Sequence, residues 1–179
     1  MNLRIAGYVA GSLLLEQEPD RWRALVMLDT GARATEFVPG HTRSHLFLQF
    51  DDIESPELGR RAPRWEQVAE GLRFAHGKDN LLVCCHAGRG RSAAMAYLIC
   101  CQERGVSEAV GLFDPTRHRP NRLVIRLGDA LLGNPQILDR FDAWRKAHAN
   151  IKLSDYYDQL EEEYEELMAQ GASDRITGG

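Results

Sequence analysis

The 179-residue chain contains no uninterrupted apolar run near the roughly 20 residues that cross a bilayer, so no membrane span is expected. It has no surplus of positive charge either. Lys and Arg total 22 against 26 Asp and Glu, a formal net charge of -4, which argues against a general nucleic-acid binder despite the local cluster Arg117, Arg119, Arg122 and Arg126. Cysteine is scarce and arranged in no framework. The four cysteines form two vicinal pairs, Cys84-Cys85 and Cys100-Cys101, with the spacing of neither a disulfide scaffold nor a zinc site. A reducing, cytoplasmic setting is therefore expected, with no metal and no cofactor. Arg4 and the apolar residues to Leu15 are interrupted by Gly11 and Ser12 and followed by no cleavage pattern, so they read as ordinary elements rather than a leader. There is no internal repeat, and the length fits one domain with a substantial core.

What is present alternates. Leu3 to Val9 reads as a first strand and Gly11 to Glu18 as a short helix. Ala24 to Leu28 is a continuous apolar run ending at Asp29-Thr30-Gly31, the pattern of a strand buried on both faces. Gly31 to Ser44 is rich in turn formers, and His45 to Phe50 is a third strand ending at Asp51-Asp52. From Pro63, the positions Trp65, Val68, Leu72 and Ala75 have helical spacing up to Gly77, after which a strand leads to Cys85. Beyond a central helix, Ser107 is read as the cap of a short helix, 123–132 and 135–148 as helices, and 155–169 as an acidic helix with Tyr157, Leu160, Tyr164, Leu167 and Met168 on one stripe. The expected organisation is a domain over 1–150, the acidic amphipathic helix within 151–170, packed on the domain or on a second copy, and a disordered tail over 171–179. Alternating strands and helices imply an α/β architecture, a mostly parallel central sheet flanked by helices with functional loops at the strands' carboxyl ends.

One such loop carries the chemistry. Val83-Cys84-Cys85-His86-Ala87-Gly88-Arg89-Gly90-Arg91-Ser92 leaves a strand and enters a helix that is apolar on all sides. The first turn of a helix presents unpaired N–H groups and the positive end of the dipole, a ready anion site. Thiolate rather than thiol is the nucleophile, and a helix N-terminus with a guanidinium nearby favours it. Gly88 and Gly90 let the loop turn its amides inward, Arg91 offers a planar fork for two phosphate oxygens, and Ser92 offers a hydroxyl to the sulfur.

Cys85 to Ser92 resembles the C-x5-R-[S/T] phosphate loop of cysteine-dependent tyrosine and dual-specificity phosphatases, with the x-Ala-Gly-x-Gly-Arg-Ser filling also in place. Phe50 to Ile53, Pro120-Asn121 and Leu127 to Gly133 are similar to a group of bacterial cytosolic proteins described as tyrosine phosphatases. The likeness covers residues 1 to 135. It departs at Cys84, where that family usually has His. The resemblance implies a phosphatase-like α/β fold with the acidic helix as an addition, and a metal-independent phosphomonoester hydrolase working through a phosphocysteine. It implies Cys85, Arg91, Ser92 and an aspartate as catalytic residues, with His86, Ala87, Gly88, Arg89, Gly90 and Arg91 around the phosphate. Small dual-specificity phosphatases carry that aspartate some thirty residues before the cysteine, which points to Asp52, with Asp51 as rival; Asp114-Pro115 reads as a turn. Pro120-Asn121 would brace the loops. The implied partner is a phosphorylated protein or peptide. A phosphate-binding module without turnover is the alternative, and substrate class stays open. Cys84, Cys100 and Cys101 read as core thiols, although Cys84 could also act as a redox partner of Cys85.

Overall fold

The computed structural model describes residues 1–178, of 153–156 the backbone alone. Its centre is a four-stranded parallel sheet ordered β1-β4-β2-β3, formed by β1 (Asn2–Ala6), β2 (Arg23–Leu28), β3 (Ser44–Gln49) and β4 (Asn80–Cys84). The two inner strands are the two most apolar, as burial on both faces requires. Successive side chains go to opposite faces. Leu25, Met27, Leu81 and Val83 face one core with α3 (Trp65–Ala75), α4 (Arg91–Arg104), α6 (Arg122–Leu132) and α7 (Gln136–Ala147). Ala24, Val26, Leu28, Leu82 and Cys84 face the other, with α1 (Tyr8–Gln17) and α2 (Phe37–His41). A short α5 (Val106–Ala109) and a 3-10 turn follow α4, and α8 (Leu153–Ala169) is the acidic helix. Every residue from Arg91 to Cys100 is buried, which explains a helix apolar on all sides. No helix among the described residues is long and apolar enough to cross a membrane.

Five local expectations need correction. The first strand stops at Ala6 rather than Val9, because the chain turns at Gly7 to pass beneath the loop after β4: Tyr8 N–H donates to His86 O at 3.1 Å. The turn-rich 31–44 segment contains α2, whose Val38 is fully buried. Pro63 lies outside α3; Arg64 is the N-cap, its N–H donating to Gln67 Oε1 at 3.0 Å, and Trp65 is 43% exposed rather than core. Gly105, not Ser107, precedes α5. The tail is not disordered over its described part. Ile176 is completely buried in the α1-side core, its carbonyl accepts from Thr35 N–H at 2.9 Å, and Arg175 N–H donates to Ser12 Oγ at 3.0 Å. Sequence polarity hid this because one apolar side chain and a few backbone bonds anchor the strap; Gly179 lies outside the described residues.

Candidate active site

The loop after β4 is built against β1. Cys85 N–H donates to Ala6 O at 3.3 Å, and Gly88, at φ +71°, occupies the left-handed region where a side chain is strained and a methyl would overlap the Gly7 backbone. Cys85 falls on the α4 side, 1% exposed, its Sγ 3.1 Å from Ser92 Oγ in the first turn of α4. Cys84, one residue earlier, projects to the opposite core, where burial, reinforced by the Cys85 and Asp174 charges, pushes its thiol well up. The two vicinal sulfurs therefore belong to different faces.

Arg91 opens α4 and is 2% exposed. Its Nη1 donates to Phe50 O at 2.7 Å, its Nη2 pairs with Asp29 Oδ1 at 2.7 Å, and its buried Nε has no partner among the described residues. Burial works against this charge, but Cys85, Asp29, Tyr8 and Asp52 outweigh it and raise the guanidinium above its ordinary value. A buried cation needs such company. Asp29, at the carboxyl end of β2, also lies 3.5 Å from Nδ1 of the exposed His86. Sequence reading passed over Asp29, although its position after a buried parallel strand, in line with the loops of β3 and β4, was the available signal.

The two rival carboxylates are separated by their surroundings. Asp51 is 6% exposed and accepts from Thr30 N–H at 2.8 Å, Thr30 Oγ1 at 2.6 Å and Arg61 N–H at 2.7 Å. Burial alone would raise its pKa, but those bonds lower it to about 2. Asp51 is thus a staple between the β2 and β3 loops. Asp52 is exposed, accepts from Asn121 Nδ2 at 2.7 Å and lies against Gly90, whose missing side chain makes room for the carboxylate. Asn121 also donates to Ile53 O at 3.2 Å, caps α6 by accepting from Val124 N–H at 3.1 Å, and its own N–H donates to Gly90 O at 3.2 Å, so one residue ties the Asp52 loop to the cysteine loop. Asp114 closes a turn, accepting from Thr116 N–H at 2.8 Å.

Of the residues singled out in sequence, Cys85, Gly88, Gly90, Arg91, Ser92 and Asp52 are brought together. His86 and Ala87 lie exposed on the rim. Arg89 is different: its side chain is 4% exposed and runs to Glu163 Oε2 at 3.7 Å and Arg117 O at 3.4 Å.

No family model and no curated protein sequence matches the chain. Solved structures do. PTPMT1 in complex with PI(5)P superposes with a TM-score of 0.51 at 15% identity, covering 78% of this chain and 94% of that one. The phosphatase domain of Yvh1 from Chaetomium thermophilum gives 0.50 at 15% identity, over 76% and 93%. The fold is that of the tyrosine and dual-specificity phosphatases. The expected parallel sheet and added acidic helix are both present.

Proposed function

We propose that the protein is a cysteine-dependent phosphomonoester hydrolase acting on phosphotyrosine or dual-specificity phosphoprotein substrates. The observation that carries this reading is the environment of Arg91: a buried guanidinium clamped at Nη1 and Nη2, its Nε without a partner among the described residues, in the field of a cysteine that already contacts Ser92. In this mechanism the Cys85 thiolate attacks phosphorus while loop amides from His86 to Arg91 and the Arg91 guanidinium hold the three non-bridging oxygens. The P–O bond to the leaving group breaks, and Asp52 gives its proton to the departing oxygen. Asp52 then takes a proton from water, which attacks the phosphocysteine. The P–S bond breaks, phosphate leaves, and Ser92 Oγ donates to the returning thiolate. Asp52 is assigned over Asp51 because all three hydrogen bonds on Asp51 serve the loop, whereas Asp52 is exposed beside Gly90.

Metal-free turnover of a phosphotyrosine peptide, abolished in Cys85→Ser, tests the reading. Asp52→Asn is expected to remove the alkaline limb of the pH–rate profile, which Asp51→Asn keeps. Tight stoichiometric binding of the peptide without turnover would identify a phosphate-binding module instead.

A further inference from the structure

The side chains of Arg89 and Arg117 take no part in the chemistry just described, yet they converge on one carboxylate from a distant part of the chain. Glu163 of α8 pairs with Arg89 at 3.7 Å and with Arg117 at shorter range. Arg89 is almost fully buried, and a buried cation requires an anion or equivalent hydrogen bonds. Here the anion comes from a helix with a shallow seat. None of α8's described residues is buried, and its apolar stripe is largely in solvent, with Tyr157 56%, Tyr164 53% and Met168 45% exposed. Among the described residues, therefore, little apolar area holds α8 down. Among the described residues, the ion pairs that join it to the body all end on Glu163.

The place is continuous with the mouth of the site. Arg91 pairs with Asp29, Asp29 faces His86, and His86 and Ala87 share a groove with Leu160, Glu163 and Tyr164. A cavity of about 280 Å³ beside the loop has Arg4, Arg89, Arg117, Asp114, His118 and Glu163 among its lining residues. A substrate whose phosphate sits over Cys85 and whose chain crosses His86 and Ala87 arrives at this pair of guanidiniums. We propose that Arg89 and Arg117 form a second anion subsite, closed by Glu163 in the chain by itself, that receives a second phosphate of a multiply phosphorylated substrate. This deepens the phosphatase reading and rests on it for the placement of the first phosphate. Glu163 is then an internal competitor: a dianion brings more charge to the same fork than a carboxylate does and displaces α8 from its seat.

The test uses the full chain carrying Cys85→Ser, so that binding is read whether or not the wild type turns over phosphate. Calorimetry compares the peptides Ser-Ala-pTyr-Ala-Ser and pSer-Ala-pTyr-Ala-pSer, whose flanking phosphates reach about 7 Å to either side of the central residue. Glu163→Gln is expected to increase the preference for the triply phosphorylated peptide about fivefold, the scale of one partly exposed ion pair removed from competition. Arg117→Met, at a half-exposed position, abolishes that gain. Glu165→Gln, an equal charge change on the exposed face of the same helix, leaves the preference unchanged. A preference indifferent to Glu163 and Arg117, or raised equally by Glu165→Gln, overturns the subsite. Absence of wild-type turnover with these binding effects intact overturns the phosphatase reading and leaves the subsite standing.

Discussion

A methyl group added at Gly90 tests the role proposed for Asp52, whose carboxylate supplies the three nearest atoms. Gly90 has φ -96° and ψ -79°, so alanine meets no left-handed strain there. Its Cβ, however, would lie 2.6 Å from Cγ and 2.8 Å from Oδ1 of Asp52, and closer still to Oδ2. The carboxylate must swing away and give up the 2.7 Å bond from Asn121 Nδ2. Because Asp52 is exposed and water can solvate it elsewhere, the folding cost is about 1 kcal/mol. The catalytic cost is much larger. A positioned general acid supplies about 10²–10⁴-fold, or about 3–5 kcal/mol of barrier, when the leaving oxygen is basic. Gly90→Ala is therefore expected to slow kcat on a phosphotyrosine peptide by about 100-fold or more, and to slow an ester of a strongly acidic phenol far less. Combined with Asp52→Asn it adds nothing, since both changes remove one function. Equal losses on both esters, or additive losses in the double variant, refute the placement of Asp52 as acid.

Two further predictions concern the frame. Asp51 has its pKa lowered to about 2 in the folded chain, so it binds fewer protons folded than unfolded. Its contribution is complete above the unfolded value of about 4 and is lost as pH falls through the folded one. Asp51→Asn is expected to cost about 2 kcal/mol at neutral pH, read by urea unfolding, and to flatten the loss of stability between about pH 4 and 2; an unchanged acid slope would contradict the staple. Ile176→Ala removes the buried anchor of the C-terminal strap and is expected to cost about 2–4 kcal/mol. An unaltered thermal midpoint would show that the strap contributes nothing.

The parallel sheet, the strand-to-helix loop and the contact of Cys85 with Ser92 were readable because each rests on local pattern: apolar strands, glycines at a turn, a buried helix. Choosing between Asp51 and Asp52 needed the fold, since Thr30 and Arg61 close on Asp51 only when the β2 and β3 loops meet. Asp29 and Glu163 escaped notice for the same reason. One meets Arg91 across 62 residues of sequence and the other meets Arg89 across 74, pairings that no periodicity records. The strap was misread because composition counts polar residues, whereas a single Ile176 seated among Tyr8, Leu15 and Val38 decides the matter.

The central claim is that Cys85 becomes covalently phosphorylated during turnover. Rapid acid quench of wild-type protein mixed with a phosphotyrosine peptide in the presence of EDTA, followed by peptide mass analysis, tests it directly. The account predicts one phosphate on the peptide containing Cys85, absent in Cys85→Ser and accumulating in Asp52→Asn, whose base for hydrolysis is gone. Turnover that requires added metal, or that proceeds with no phosphate on Cys85, would contradict it.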